Sequence, residues 1–134
     1  MLKINKNKMN VSKQTLKIGR FTKNGIKGYD ININLIFENN NKKGYLNLST
    51  GFENDNIITS FINKEYRGIP FDGNANNEIN FFEIFDTENF FDTEIENEIK
   101  LTIENIVDNK IKVIIVLNDN LININFNGFL DIVK

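Results

Sequence analysis

Between Glu83 and Glu98 the chain carries seven carboxylates, Glu83, Asp86, Glu88, Asp92, Glu94, Glu96 and Glu98, and no basic side chain. Two carboxylates about 5–10 Å apart across a cleft can hydrolyse a glycosidic bond. The pairs here, Asp92 with Glu94 and Glu96 with Glu98, are two residues apart, and on a strand that spacing puts both groups on one face. A sugar cleft also tends to offer Trp platforms, and the chain has no Trp. It has no Cys and no His either, which removes thiolate nucleophiles, disulfides, Cys/His zinc sites and every general-base scheme built on imidazole. Phosphate loops of the Gly-x-x-x-x-Gly-Lys type, Gly-x-Ser-x-Gly elbows and dinucleotide fingerprints are missing as well. The residue types therefore predict a protein that is not an enzyme and uses no cofactor.

The same stretch suits a different task. Asp86, Glu88, Asp92, Glu94 and Glu96 surround the adjacent rings of Phe90 and Phe91. Charge of one sign around aromatic anchors favours rapid capture and close seating of an oppositely charged partner. The expectation is a protein-binding surface for a basic partner; a plain solvated face is the alternative.

Residues 72–83, Asp-Gly-Asn-Ala-Asn-Asn-Glu-Ile-Asn-Phe-Phe-Glu, place oxygen-bearing side chains at positions 1, 3, 5 and 9, an Ile at 8 and a Glu at 12. Over these twelve residues the pattern resembles the calcium loop of EF-hand proteins, with Asp72, Asn74, Asn76 and Glu83 as the implied ligands. Asn77 stands where that loop turns on a Gly, and Gly68 and Pro70 stand where its entering helix would run. An ordinary polar turn is the expectation, with no metal.

Charge is distributed unevenly along the chain. Residues 1–27 hold eight basic side chains (Lys3, Lys6, Lys8, Lys13, Lys17, Arg20, Lys23, Lys27) and no acid, whereas the remainder holds eight bases against eighteen acids, for a net −2. The basic segment, with Phe21 and Tyr29 nearby, could neutralise phosphates. The acidic body would repel the same polyanion, which argues against nucleic acid. The plainer expectation is that the basic segment packs beside acids of its own chain or of another copy.

The elements that must position these residues read as strands. Tyr29, Ile31, Ile33, Leu35 and Phe37 alternate with Asp30, Asn32 and Asn34, the two-residue period of a half-buried strand. A polar loop over 38–44 leads into a second alternating run over 45–50, a hairpin with a long connection. Toward the C-terminus, Ile95, Ile99, Leu101 and Ile103 alternate with Glu96, Glu98, Lys100, Thr102 and Glu104, Asp108-Asn109 turns the chain, and the β-branched run 111–117 predicts a central strand covered on both faces. A second turn at 118–120 leads into 121–126, completing an antiparallel meander. Leu2 with Ile4, and Leu16 with Ile18, suggest strands in the basic segment. Ile57, Ile58, Phe61, Ile62 and Tyr66 fall at helical spacing behind a cap at Asp55, so a helix is favoured there over a strand. The Phe-rich run 79–85 predicts a strand or short helix, then a loop.

The fold class that follows is mainly β: one domain over residues 1–134, an antiparallel sandwich or barrel of about seven strands with at most one or two short helices. Asn, Ile, Lys and Phe dominate the composition. All four can be encoded by A and T alone, which points to an AT-rich bacterium or its phage and empties the Asn clusters of separate meaning. No apolar run long enough for a secretory signal or a membrane span is present, and the retained Met1 adds to the expectation of a cytoplasmic protein. The expected function is a non-enzymatic, cytoplasmic protein-binding module, of the kind an immunity protein uses to neutralise a basic toxin. The alternatives are a small-molecule-binding β-barrel and a phage or structural assembly subunit, in which opposed charges would draw copies into a homo-oligomer.

Overall fold

The computed structural model describes residues 1–52, 62–68 and 79–133, apart from the side chains of Phe21, Lys23, Ile26 and Phe52. It is all β: ten strands in one sheet, with no helix among the described residues. The strands are β1 (Leu2–Ile4), β2 (Asn7–Lys23), β3 (Ile26–Asn39), β4 (Lys42–Phe52), β5 (Lys64–Gly68), β6 (Ile79–Phe85), β7 (Phe90–Phe91), β8 (Ile99–Val107), β9 (Lys110–Asn118) and β10 (Asn123–Val133). Their order in the sheet is β5-β8-β9-β10-β1-β2-β3-β4-β6-β7. The count exceeds seven because β5 falls in the run read as a helix and β7 in the stretch read as a loop.

Inward side chains from both halves of this order share one core. Ile31, Ile33 and Leu48 from one half, and Ile99, Leu101, Ile115 and Phe126 from the other, belong to a single buried cluster, so the sheet curls around its own apolar face. β5, at one end of the order, comes back against β6, near the other. Alternation drives this: along β9, Ile111, Val113, Ile115 and Leu117 are buried while Lys112, Ile114 and Val116 are half-buried. The expected two-sided cover of β9 is thus corrected to a one-sided one, since a curled single sheet buries only its concave face.

Two-residue turns close four of the hairpins. Asn5-Lys6, Asn24-Gly25, Asn40-Asn41 and Asp108-Asn109 all have positive φ at both residues, the left-handed pair whose twist matches that of the flanking strands. The expected long loop at 38–44 is therefore wrong. β3 runs to Asn39, β4 restarts at Lys42, and only Asn40 and Asn41 turn. Asn supports this because its short polar side chain tolerates the left-handed region better than most residues. Gly44, just beyond, is needed for a different reason: a Cβ there would lie 2.5 Å from the Phe37 ring and from the Phe85 carbonyl oxygen.

The favoured helix over 57–66 is corrected where it can be followed. Its first residues, 57–61, lie outside the described residues, but Lys64–Gly68 is a strand paired with β8, and Tyr66 is buried opposite Leu101. β-Branched neighbours and an open edge on β8 outweighed a helical spacing of apolar residues. The run 79–85 is a strand throughout, and the expected loop after it contains β7.

β1 is wedged between β10 and β2, antiparallel to both. Past its start, β10 reaches β2 directly and pairs with it in parallel, Asp131 opposite Thr15. A β-bulge between Val11 and Lys13 accompanies the change. It shifts the inward positions of β2 from odd to even, so that Met9 before it and Leu16 after it both point into the core.

Candidate partner-binding surface

Antiparallel connection sets the acids on one rim of the sheet. The turns Asn5-Lys6 and Asn40-Asn41, the turn from β6 to β7, the segment 92–98 before β8 and the turn from β9 to β10 all fall at that end; Asn24-Gly25 and Asp108-Asn109 mark the other. The acidic stretch is therefore a contiguous part of one rim, brought together by fold as well as by sequence.

The two phenylalanines part company there. Phe90 pairs with Phe85 and is 45% exposed, whereas Phe91 pairs with Ile84, points inward and packs against the core. Adjacent residues on a strand must face opposite ways, so only one ring can serve as an outward anchor. Phe90 ends a row across the outer face: Ile36 on β3 lies opposite Tyr45 on β4, Tyr45 opposite Phe85 on β6, and Phe85 opposite Phe90 on β7. The Tyr45 and Phe85 rings are 6.0 Å apart between centroids, within the range of favourable aromatic pairs. Ile36, Tyr45 and Phe85 are half-buried.

A second row runs parallel to it, two residues along each strand. The Asn34 side-chain amide donates to the Asn47 side-chain oxygen, and Asn47 Nδ2 donates to Glu83 Oε1 at 2.8 Å. In the next row, Ser49 Oγ donates to Asn32 Oδ1 at 2.6 Å. These contacts knit β3, β4 and β6 on their solvent side and orient Glu83 beside the aromatic row. They also give Glu83, the one residue of the calcium-loop pattern that can be followed, a structural partner within a strand. Asp72, Asn74 and Asn76 lie outside the described residues, among which no group of three metal-ligating side chains occurs.

The remaining acids divide by what they already hold. Asp86 Oδ1 accepts from the backbone N–H of Glu88 at 2.9 Å and of Asn89 at 2.7 Å, shaping the turn that presents Phe90. Asp92 and Glu94 brace the next turn, each through a single oxygen, accepting from the N–H of Thr93 and of Asp92 respectively. Glu88 pairs with Lys42 at 3.4 Å across largely exposed side chains, a contact of at most about 1 kcal/mol. Glu98 is held by Arg67 Nη1 at 3.3 Å, and Arg67 also clamps Glu65 at 2.9 Å. That hydrogen bond, with the charges of Arg67 and Lys100, holds the Glu65 carboxyl below its ordinary pKa. Glu96 is exposed.

None of the described basic side chains of residues 1–27 forms an ion pair with this rim. Among the described residues, the ion pairs draw on Lys42, Arg67, Lys100, Lys110 and Lys112, all outside residues 1–27. Asp86 and Glu88 line a polar recess of about 180 Å³ together with Asn5 of the β1–β2 turn, Asn7 on β2 and Asn39 at the end of β3.

Beneath the rim, Asp119 anchors the acidic segment. Its Oδ1 accepts from the N–H of Glu96 at 3.1 Å and Asn97 at 2.9 Å, and its Oδ2 from Leu121 at 3.0 Å. Ile95, next to Glu96 in sequence, is buried, and Asn97 Nδ2 donates to the Asn118 carbonyl at 2.7 Å, so apolar burial and hydrogen bonds together fix the segment. Burial acts to raise the Asp119 pKa, but the three amide donors together prevail and hold it below the ordinary aspartate value.

Sequence reasoning missed Ile36 and Tyr45. The signal was available: Ile36 occupies the solvent-side parity of Asp30, Asn32 and Asn34, an apolar residue on a face otherwise polar. No helix of the described residues is long and apolar enough to cross a membrane. No protein-family model matches the chain, and neither does any curated protein or solved structure.

Proposed function

We propose that this chain is a non-enzymatic protein-binding module that seats a basic partner on the Phe90 face of its acidic rim, as an immunity protein would seat a basic toxin. The observation that carries this reading is the exposure of Phe90 at the end of the row Ile36, Tyr45 and Phe85, on the same rim as the exposed carboxylates of Glu88, Glu94 and Glu96. An aromatic anchor supplies binding energy on desolvation, while surrounding charge speeds encounter and selects the sign of the partner. Asp86, Asp92 and Glu94 contribute by holding the turns that carry the ring, and Phe91 by fixing β7 to the core.

The test is affinity capture from a lysate of the source organism at low and raised salt. Wild-type protein is compared with a variant carrying Phe90→Ala, Glu88→Gln, Glu94→Gln and Glu96→Gln. A basic protein held by the wild type, weakened by salt and lost by the variant, supports the reading. Equal retention by the variant defeats it. Capture of further copies of the chain itself would select the assembly reading instead.

A further inference from the structure

The chain contains two Asn-Gly pairs, Asn24-Gly25 and Asn127-Gly128, and the fold places them in opposite circumstances. In such a pair the backbone nitrogen of the glycine can attack the side-chain Cγ of the asparagine, because no Cβ on the glycine crowds the approach. The attack needs a nitrogen that is free of other hydrogen bonds, on a backbone that can move.

Asn127-Gly128 lies within β10 and has neither. Asn127 N–H donates to the Met1 carbonyl at 3.0 Å, and the Asn127 carbonyl accepts from the Met1 amino group at 2.5 Å. Backbone groups of adjacent strand residues point to opposite sides, which turns those of Gly128 toward β9, where Val113 stands opposite. The nitrogen is thereby fixed in a ladder between two neighbouring strands.

Asn24-Gly25 is the exposed turn of the β2–β3 hairpin, with φ 52° and 78°. Ladder pairing ends at Lys23 and Ile26, which leaves the Gly25 N–H outside it, and a Cβ placed on Gly25 would meet nothing within 4 Å. β10 accompanies β2 only as far as Lys17, and β4 is paired with β3 only from Tyr29 onward. Among the described residues, then, no third strand pairs with the tip, and it can open without breaking another element. Residues 20–27 carry Arg20, Lys23 and Lys27 and no acid, and positive charge favours the deprotonated amide nitrogen that makes the attack. In the equivalent turns the second residue is Lys6, Asn41 or Asn109, each with a Cβ.

We propose that Asn24 is a self-modification site, at which the chain converts a carboxamide to a carboxylate with water as the only co-reactant. Gly25 N bonds to Asn24 Cγ and gives up its proton; the Cγ–Nδ2 bond breaks, and Nδ2 takes up a proton and leaves as ammonia. Water then opens the cyclic imide, at Cγ to give aspartate or at the Asn24 backbone carbonyl to give isoaspartate. Either product adds a negative charge to a basic hairpin, and isoaspartate also lengthens the backbone of a two-residue turn. The site lies at the opposite end of the sheet from the Phe90 face and does not depend on the partner-binding reading.

The test is incubation of the full chain in mildly alkaline buffer, folded and in guanidinium chloride sufficient to unfold it, with peptide mapping by mass spectrometry at residues 24 and 127. In the folded chain Asn24 is expected to convert about tenfold or more faster than Asn127, and unfolding is expected to bring the two rates together. Gly25→Asn, which reproduces the Asn40-Asn41 turn, should slow conversion of residue 24 by about tenfold or more, with melting curves to verify that it folds. Equal rates at the two positions in the folded chain, or a ratio that unfolding leaves unchanged, overturns the proposal. So does a folded Asn24 that stays intact while the unfolded one converts, or a folded Gly25→Asn variant that converts as fast as the wild type.

Discussion

Gln14 Nε2 on β2 donates a hydrogen bond to the backbone carbonyl of Phe129 on β10 at 2.7 Å, at the place where β10 leaves β1 and has not yet begun its parallel pairing with β2. The side chain spans a gap that no backbone ladder fills, just beyond the bulge that redirects β2. Gln14→Ala is expected to cost about 1 kcal/mol, the net worth of one such bond, and to raise hydrogen exchange in residues 131–133 more than in β9. Urea denaturation and amide exchange measure both. Uniform loosening of all strands would show that Gln14 does not hold the fork.

The hairpin turns give predictions of opposite sign at two positions. Lys6 at φ 70° and Asn41 at φ 65° occupy the same second position of equivalent turns. Lys6→Gly should raise stability by about 1 kcal/mol, because glycine reaches that conformation without steric cost. Asn41→Val should lower it by about 1–2 kcal/mol, since a β-branched residue there is strained. Thermal melts of the two variants beside the wild type decide the matter, and a stabilising Asn41→Val would contradict the turn assignment.

Alternation made the long strands legible from the residues alone. The run 29–37 lies within a strand and its reading fell short only at the ends, where polar residues on solvent-facing positions look like loop, whereas the run from Ile95 began too early, since β8 starts at Ile99 and Ile95 is buried ahead of it. What alternation could not supply was the face on which a pair falls when both neighbours are apolar. Phe90 and Phe91 were indistinguishable in sequence, and only the register with Phe85 and Ile84 separates anchor from core. The turns were hidden by composition: Asn is so frequent that Asn40-Asn41 and Asn5-Lys6 carry no more local signal than the Asn residues inside strands, such as Asn32 and Asn34. The acidic rim was legible as charge, but that no described ion pair joins it to the amino-terminal lysines was not.

The separation of the two rings is itself testable. Phe90→Ala removes an exposed side chain and should change stability by no more than about 0.5 kcal/mol. Phe91→Ala removes a half-buried ring packed against the core and should cost about 2 kcal/mol, below the roughly 3–5 kcal/mol typical of a fully buried Phe. If the partner-binding proposal holds, the variant with the smaller stability change shows the larger loss of capture. Equal destabilisation by both substitutions would mean that β7 does not present its residues as described.

Asp119 couples the acidic segment to pH. It is only 8% exposed and accepts from three backbone amides, which lower its pKa in the folded protein. An unfolded aspartate titrates at about pH 3.9, so the folded chain binds this proton less readily than the unfolded one. The stabilisation is therefore complete above that ordinary value and is lost as pH falls through the lower, folded one. Asp119→Asn keeps the shape and an accepting oxygen but not the charge. At pH 7 it should be less stable than wild type by about 1.5–3 kcal/mol, the range for hydrogen bonds to a charged group, and the gap should close as both proteins are taken toward about pH 2. Urea denaturation at about pH 7, 4 and 2.5 measures the difference. A gap that stays constant across that range would place the proton elsewhere and remove Asp119 as the charged anchor of residues 95–97.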